Sequence, residues 1–352
     1  MTDTILAIDL GRYKSVACAY HRGTRAHAFR TVDSTPDGID RLLARHPAAL
    51  VVVEACATAG WVADRATAAG HPVKVANTAA ESWKFKHLKR KTDRDDALRL
   101  AELEVIGQLP TVTLPDPPTR QRRRLITARQ ELVGRRVRCQ NRLRGLFAGV
   151  GLSCRLGAGA WSADGLAEFE REAKPLAECG PDEVWRGLVR LALDEYRQLV
   201  ERIGEVEGKL DALSAADAGT QLLQTIPGVG PRTAEAVSAY LGDAGRFASA
   251  KQVGAYAGLV PSQYQSGVTD RRGRITRRGP RLLRKLLVEC AWCSLRYNAW
   301  ARGVYLRLSR GGVSRKKPAV VALARKLLVV CWAMLKSGTP WREPEPEAAA
   351  VG

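Results

Sequence analysis

Four carboxylates are spaced in a way that suits the binding of divalent metal ions. Asp9 ends the apolar run ILAID, and Glu54 ends the apolar run ALVVVE. Asp93 and Asp96 lie three residues apart in KTDRDDALRLAEL, so a helix there places both on one side. Like charges on one side repel unless a cation lies between them, and oxygen-only ligands favour Mg²⁺ or Mn²⁺. Two such ions about 3.5–4 Å apart suit phosphodiester chemistry.

Each carboxylate also has a structural interpretation. Asp9 could cap a turn, Glu54 could pair with an arginine, and Asp93 and Asp96 could simply favour a helix N-terminus. The combination of two strand ends with a later helix favours a shared site. The sequence IDLG also opens sugar-kinase and actin-like ATPases. Against that interpretation stand the basic charge of the chain and the lack of a later glycine-rich Asp-Gly-Gly-type phosphate loop.

The elements that must position these residues alternate between strand and helix. Three strands (ILAIDLG, SVACAYH and RAHAFRTV) precede a helix with Ser34 or Thr35 as N-cap and Pro36 at its first position. The strand ALVVVEA, a helix closed by Gly70, the strand PVKVAN and the KTDRDDA helix follow. This order predicts an α/β layer fold of the ribonuclease-H-like type. Strand ends in such sheets gather ligand-binding residues, which unites Asp9 with Glu54.

The rest of the chain is predicted to be mostly helical. A breaker-rich linker (PTVTLPDPP) precedes an arginine-rich helix, and an amphipathic helix of about nine turns spans Asp182–Leu213. That long helix suits a coiled coil between subunits, with packing on its own domain as the competing interpretation. The predicted divisions are a nuclease-like domain over 1–110, a linker and arginine-rich helix over 111–180, the long helix over 181–215, a C-terminal domain over 216–342 and a disordered tail over 343–352.

The charge of the chain indicates a polyanionic partner. Lys and Arg exceed Asp and Glu by 56 to 36, a formal net charge of +20. Arg120–Arg144 holds ten arginines and one acidic residue, which is unlike a solvated helix face of mixed sign. We therefore predict nucleic acid, DNA or RNA, as the partner. The candidate nucleic-acid-binding side chains are Lys89, Arg90, Lys91, Arg122, Arg123, Arg124, Arg135, Arg136, Arg271, Arg272, Arg274, Arg277 and Arg278.

Membrane and secretory signals are not evident in the sequence. It has no run of about 18 apolar residues and no basic segment followed by an apolar core at its start. The eight cysteines are scattered among apolar neighbours, which is typical of reduced thiols. Cys290 and Cys293 form a C-x-x-C without a second pair, so a metal or redox role there is disfavoured. We expect a cytoplasmic, nucleoid-associated bacterial protein.

The motifs together resemble a known family. IDLG, VVVEACATAG, KTDRDDA, PGVGPRTA, GLVPSQYQSGVTDRRGRITRRG and the closing PAVVALARKLLVVCWAMLKSGTPW occur in the order of the DEDD insertion-sequence transposases. These are bridge-RNA-guided recombinases with a RuvC-like nuclease domain and a C-terminal transposase domain. The resemblance implies that Asp9, Glu54, Asp93 and Asp96 hold Mg²⁺ (or Mn²⁺), and that Asp95 has no such role. It also implies a non-coding RNA partner and a homo-oligomer, dimer or tetramer.

The resemblance further assigns a nucleophile. The family uses a serine that forms a covalent phosphoserine link to DNA, and the matching position is Ser266 in YQSGVTD. The family commonly has Ser-Gly-Gly there, and Val268 replaces the second glycine in this chain. Ser266 precedes a run of arginines able to grip a scissile phosphate, and no histidine lies nearby as a general base. Ser262 is the alternative serine.

A glycine-rich turn offers a second contact with nucleic acid. The segment Ile226–Gly230, IPGVG, resembles a helix-hairpin-helix motif. Gly228 and Gly230 allow a tight turn, and the next helix offers free N–H groups to a phosphate. A plain connection between two helices is the competing interpretation. The sequence as a whole predicts a DNA transposase or recombinase. The alternatives are a metal-dependent Holliday-junction-type nuclease without a covalent step and a non-catalytic nucleic-acid-binding protein.

Overall fold

The computed structural model describes residues 3–77, 92–266 and 269–343. The chain divides into two compact units, Met1–Pro117 and Pro118–Gly352, and each is described by itself. The predicted disordered tail lies almost wholly outside the described residues.

The first unit is built on a five-stranded sheet of order β3-β2-β1-β4-β5. β1 is antiparallel to β2, and β2 to β3, whereas β1, β4 and β5 run parallel. The elements follow the predicted alternation of strands and helices. They are β1 (Thr4–Asp9), β2 (Lys14–His21), β3 (His27–Asp33), α1 (Pro36–Ala44), β4 (Leu50–Glu54), α2 (Ala59–Ala68), β5 (Val73–Ala76) and α3 (Asp93–Val105).

Apolar side chains cover both faces of the central strands. Leu6 and Ile8 of β1 pack on the face that carries α1 and α2. Ile5 and Ala7 pack on the opposite face, against Leu100 and other residues of α3. Burial on both faces explains why β1 and β4 read as continuous apolar runs rather than alternating ones.

Helix ends in this unit follow the predicted chemistry. Thr35 caps α1, because its hydroxyl accepts a hydrogen bond from the Gly38 N–H at 3.2 Å, and Pro36 occupies the first position. Gly70 closes α2 with a φ of 84°, a conformation that suits glycine. Both predictions are confirmed.

The predicted linker lies against the edge of the sheet. Thr111 forms a bridge with Ala76 of β5, and the Val112 N–H donates to the Val75 carbonyl at 2.9 Å. Val112 and Leu114 also pack against the α1–α2 core. The prolines of this segment therefore prevent a helix, but the segment still packs on the first unit.

The second unit is mostly helical, as predicted. Its one described sheet is the two-stranded hairpin of β6 and β7. Its elements are α4 (Pro117–Gly149), α5 (Ala163–Glu172), α6 (Val184–Ala215), α7 (Ala218–Gln224), α8 (Pro231–Leu241), α9 (Ala250–Tyr256), β6 (Pro261–Ser266), β7 (Thr269–Ile275), α10 (Arg281–Tyr297), α11 (Ala299–Ser309) and α12 (Lys316–Ser337).

The long helix α6 packs on its own chain. Leu193 and Leu199 share a core with Leu143 of α4, and Leu210 packs with Ile126. The apolar face of α6 therefore packs on its own domain, which is the alternative to a coiled coil between subunits. A coiled coil between subunits through this face would require the core to open.

The most apolar helix, α12, forms the centre of the C-terminal core. Its Val320, Leu323 and Leu328 are buried against α8, α9, α10 and α11. In the part of the chain that the structure describes, the segment Val313–Ser337 is long and apolar enough to cross a membrane by composition. Burial inside the unit is the behaviour of a core helix.

Candidate functional site

Two of the four predicted carboxylates lie side by side at one edge of the sheet. Asp9 is the last residue of β1 and Glu54 the last residue of β4, and both are half-buried. The strands are parallel neighbours with Ile8 in register with Val53. Ile8 and Val53 face the α1–α2 core, so the alternation of a strand turns Asp9 and Glu54 toward the α3 face.

The orientation of α3 brings the other two carboxylates to the same edge. Near its C-terminus, the buried Glu104 accepts hydrogen bonds from Lys74 at 2.8 Å and from Arg22 at 3.1 Å. Arg22 follows β2 at the amino end of β1, because its N–H donates to the Asp3 carbonyl. The helix has 13 residues, a length of roughly 20 Å, which matches that of β1. Its first turn, with Asp93 and Asp96, therefore lies at the carboxyl ends of β1 and β4.

The third aspartate of this turn has a different task. Thr92 is the N-cap of α3, and Asp95 completes a capping box with it. The Asp95 carboxylate accepts from the Thr92 hydroxyl at 2.7 Å and from the Thr92 N–H at 3.1 Å. Asp95 is thus turned back to the cap, while Asp93 is exposed and Asp96 half-buried. We call Asp9, Glu54, Asp93 and Asp96 the acidic edge.

The donor set of the acidic edge fits a hard divalent cation. All four side chains offer carboxylate oxygens, which Mg²⁺ and Mn²⁺ prefer. Over residues 3–77, 92–266 and 269–343, no three His, Cys, Asp or Glu side chains are close enough to hold an ion. The structure therefore brings the four carboxylates to one edge and one face of the sheet, but not into coordination distance.

Two residues beside the acidic edge were not among the predicted site residues. The β1–β2 loop carries Arg12 and Tyr13, with the guanidinium 5.4 Å from the ring centroid and Tyr13 76% exposed. An exposed aromatic ring next to a cation is a common surface for nucleic-acid bases. In the sequence, only their position directly after IDLG could have indicated that they lie beside the site.

Ser266 lies at the tip of an exposed hairpin. The structure makes it the last residue of β6, paired with Thr269 of β7. Tyr264 pairs with Arg271, and the period of two along a strand puts Ser266, Tyr264 and Arg271 on one face. Tyr264 is 81% exposed. The hydroxyl thus shares its face with a cation and an open aromatic ring.

The alternative serine is engaged within the hairpin. The Ser262 hydroxyl donates to the Arg274 carbonyl at 3.0 Å. A Cβ on Gly273 would lie 2.5 Å from that hydroxyl oxygen, so Ser262 is packed between the strands. This geometry favours Ser266 as the reactive serine.

The arginines after Ser266 are displayed at the surface. Arg271, Arg274, Arg277 and Arg278 are exposed, and the side chain of Arg272 lies outside the described part of the chain. Arg277 adopts a φ of 55°, in the left-handed region. The display agrees with a role in phosphate contact, which stays a prediction.

Arg284 fixes the base of the hairpin and was missed from the sequence. Its guanidinium donates to the carbonyls of Ala257, Arg278 and Gly279, each at 3.0 Å. Partial burial, together with Arg277 and Arg281, lowers the pKa of Arg284. No motif marks this residue, since its partners are backbone groups.

The glycine turn joins α7 to α8 as a tight connection. Gly228 has a φ of 89°, and a Cβ there would lie 2.8 Å from the Ser294 Cα. Gly230 is the N-cap of α8, with its carbonyl accepting from the Ala234 N–H at 3.0 Å. The two helices and the turn have the order of a helix-hairpin-helix, and phosphate binding there stays a prediction.

The arginine-rich helix α4 divides into inward and outward residues. Arg122 donates to Asp217 and Thr220, both at 2.7 Å, and Arg123 donates to the Ala239 and Tyr240 carbonyls. Both side chains thus tie helices together, and their contact with nucleic acid stays a prediction. Arg124 and Arg135 are exposed and Arg136 is half-buried. Lys89, Arg90 and Lys91 lie outside the described residues.

Fold and site together define a nuclease-like α/β domain followed by a mostly helical, basic region. The family model for IS110-type DEDD proteins, described as "Transposase", matches residues 6–151. The model described as "Transposase IS116/IS110/IS902 family" matches residues 220–306.

Two transposases match most of the chain, and a third relative matches about a third of it. The transposase for insertion sequence element IS1328 of Yersinia enterocolitica is 29% identical over 96% of this chain and 98% of its own length. A probable family 20 transposase of Pseudomonas aeruginosa is 32% identical over 84% of this chain and 86% of its own length. A pilin gene-inverting protein of Moraxella lacunata is 34% identical over 34% of this chain. The chain belongs to the IS110-type DEDD family of DNA transposases, as the sequence motifs predicted.

Proposed function

We propose that this transposase cuts and rejoins DNA strands with a divalent metal ion at the acidic edge and Ser266 as the nucleophile. The observation that supports the proposal is that Asp9 and Glu54 end neighbouring parallel strands while α3, which begins at Asp93, packs on those strands. When bound there, Mg²⁺ or Mn²⁺ would neutralise the charge that develops on a reacting phosphate. The four carboxylates would hold the ion through oxygen ligands alone.

Ser266 supplies the covalent step of the proposal. The bond from its Oγ to phosphorus forms as the bond from phosphorus to one DNA strand breaks. The serine proton ends on the hydroxyl of the released strand. A hydroxyl end of another strand then attacks the phosphoserine, which restores a DNA phosphodiester and the free serine. Bond energy is conserved, so the exchange needs no external energy source.

The hairpin residues support this step. Arg271 shares the face of Ser266 and would donate to the non-bridging oxygens of the phosphate. Arg284 acts as a positioning residue, because it holds the backbone from which the hairpin rises.

Partners beyond DNA belong to the same proposal. A bridge RNA would bind the outward arginines of the second unit, such as Arg124 and Arg135. The chain would act as a dimer or tetramer. The net charge of +20 supports the binding of long polyanions, and the family membership supports the rest.

A denaturing-gel assay tests the proposal. End-labelled DNA carrying the ends of the element is incubated with the full chain, Mg²⁺ and the flanking transcript of the element. We expect a protein–DNA adduct from the wild type that is absent from Ser266→Ala and from Asp93→Asn. Ser262→Ala, four residues away, is the matched control and should retain the adduct.

The alternatives give different bands. Cleaved DNA without an adduct, unaffected by Ser266→Ala, would identify a junction-type nuclease without a covalent step. An adduct that survives Ser266→Ala but not Ser262→Ala would move the nucleophile to Ser262. Tight DNA binding without cleavage by any of the proteins would favour a non-catalytic binding protein.

A further inference from the structure

The first unit has a basic pocket that no motif marked. It lies between the edge strand β3 and helix α1 and has a volume of about 290 Å³. Lys14, Arg30, Arg41 and Arg45 line it, together with the single carboxylate of Asp33. Below this charged rim the pocket also reaches Val32 and Leu42, which anchor its floor in the apolar core.

The four cations are not neutralised by the described protein. All are exposed, and none of them forms an ion pair within the described residues. Neighbouring cations behave differently, since Arg65 pairs with Asp40 and Lys74 with Glu104 at 2.8 Å. An unneutralised group of cations is unfavourable unless an anion joins it. The pocket therefore presents a positive potential that would attract an anionic ligand.

The positive charge of the pocket affects the pKa of the nearby His46. Burial, followed by the charges of Arg30 and Arg45, lowers the pKa of His46. The protonated form of His46 is therefore disfavoured. This agrees with a positive potential that Asp33 does not cancel.

The pocket begins at the same edge of the sheet as the acidic edge. Asp9 is in register with Val16 of β2, and Lys14 lies two residues further toward that edge. Lys14 pairs with Asp33, the last residue of β3. Arg41 and Arg45 lie one turn apart on α1, which packs against β3. The cations thus extend from the carboxyl ends of the strands along the side of the domain.

We propose that the basic pocket binds backbone phosphates of the DNA strand on which the acidic edge acts. The inference rests on the proposed function for the identity of the strand. Phosphates that flank a scissile position lie within a few nucleotides of it, at about 3.4 Å of rise each. The pocket lies on the α1–α2 face of the sheet, whereas Asp9 and Glu54 turn toward the α3 face. A strand that leaves the acidic edge therefore reaches the pocket around the carboxyl ends of the strands, where it meets Lys14 first and the three arginines further along. Such contacts position the strand without reading its sequence.

Salt-dependent binding tests the proposal. Fluorescence anisotropy would measure the affinity of the full chain for labelled DNA of the element ends and, separately, for its transcript, from 0.05 to about 0.3 M salt. For Arg41→Gln/Arg45→Gln we expect the slope of log affinity against log salt to fall by about 1.4–1.8 on DNA. The affinity for DNA at about 0.1 M salt should drop by one to two orders of magnitude.

Two further variants separate electrostatics from folding. Arg41→Lys/Arg45→Lys keeps the charge and should retain most of the salt slope, because phosphate attracts both cations. Arg25→Gln/Arg65→Gln removes the same net charge from the same unit and should leave the slope unchanged. Arg25 lies in the β2–β3 turn, at the opposite end of the sheet, and Arg65 is already paired.

Two results would overturn the proposal. An unchanged slope on DNA in Arg41→Gln/Arg45→Gln would remove the pocket from DNA binding. A slope reduced on the transcript alone would assign the pocket to RNA instead. Binding is measured apart from cleavage, so a wild type that binds DNA without forming an adduct would reject the proposed function while this test still stands.

Discussion

Residues of one helical turn are placed differently at the acidic edge. Asp95 is tied to the Thr92 cap, whereas Asp93, two residues earlier, is exposed at the first position of α3. A capping carboxylate stabilises a helix by about 1 kcal/mol and needs no metal. A metal ligand contributes only when the ion is present. The two roles are therefore separable by measuring stability with and without Mg²⁺.

Asp93→Asn should abolish most of the stabilisation of the first unit by Mg²⁺, because the ion loses a charged ligand. At an ion concentration ten times the dissociation constant, the wild type should gain about 1.4 kcal/mol in unfolding free energy. Denaturant unfolding with Mg²⁺ or with EDTA measures this gain. Asp95→Asn is the matched control, since an asparagine oxygen still accepts from the cap, and it should keep the gain. Equal loss in both variants would remove Asp93 from the metal site.

At the scale of elements, two turns present the groups proposed to meet DNA. The β6–β7 hairpin rises from a base that Arg284 ties to three carbonyls. The α7–α8 turn is held from below, because Gly228 packs directly on Ser294 of α10. Around Gly230, at the N-cap, no atom of the described residues beyond its chain neighbours lies within 4 Å of where a Cβ would be. One glycine thus serves packing, and the other leaves the helix N-terminus open.

Gly228→Ala and Gly230→Ala should therefore have different effects. Gly228→Ala adds a Cβ at positive φ and against backbone, so it should lower the unfolding free energy by at least about 2 kcal/mol. Gly230→Ala should cost less than about 1 kcal/mol in stability. If the open N-terminus of α8 contacts phosphate, Gly230→Ala should weaken DNA binding at unchanged stability. Thermal unfolding and anisotropy on the same samples test both points, and a stable Gly228→Ala would contradict the packing argument.

The sequence predicted elements that local patterns specify. Apolar runs ending in Asp9 and Glu54, the Thr35 cap and the Gly70 stop all act within a few residues, so their structures follow from short-range chemistry. The β6–β7 hairpin gave no such signal, because both of its faces are largely polar and exposed. The sequence did not reveal the bond from Arg122 to Asp217, because the two residues lie 95 positions apart. Arg122 was therefore predicted to contact nucleic acid with the other arginines of its helix. The basic pocket was missed because Lys14, Arg30 and Arg41 meet only after folding.

At the scale of the whole second unit, Asp217 links three helices, α4, α7 and α8. Its carboxylate accepts hydrogen bonds from Arg122 of α4 at 2.7 Å, from Thr220 of α7 and from Ser238 of α8 at 2.7 Å. Burial alone would raise the pKa of Asp217, but the hydrogen bonds from Thr220, Arg122 and Ser238 outweigh it. The pKa falls from 3.8 to about 2. The ionised carboxylate is thus favoured by the folded state.

Acid should therefore destabilise the wild type through Asp217. Because the folded pKa is depressed, the contribution is complete above about pH 4 and is lost as the pH falls toward 2. A shift of this size corresponds to about 2 kcal/mol. Asp217→Asn keeps the cap of α7 but cannot ionise, so it should be less stable than the wild type at pH 6. The difference should shrink toward pH 2.

Urea unfolding followed by tryptophan fluorescence measures this effect. Six of the eight tryptophans belong to the second unit: Trp161, Trp185, Trp292, Trp300, Trp332 and Trp341. Asp243→Asn is the control, because that residue also caps a helical turn but, among the described residues, forms no ion pair with an arginine. A difference between wild type and Asp217→Asn that stays constant from pH 6 to pH 2 would show that charge at Asp217 does not hold the helices together. Convergence at low pH would show that one ionised carboxylate ties α4, and with it the arginine-rich surface, to the domain that carries Ser266.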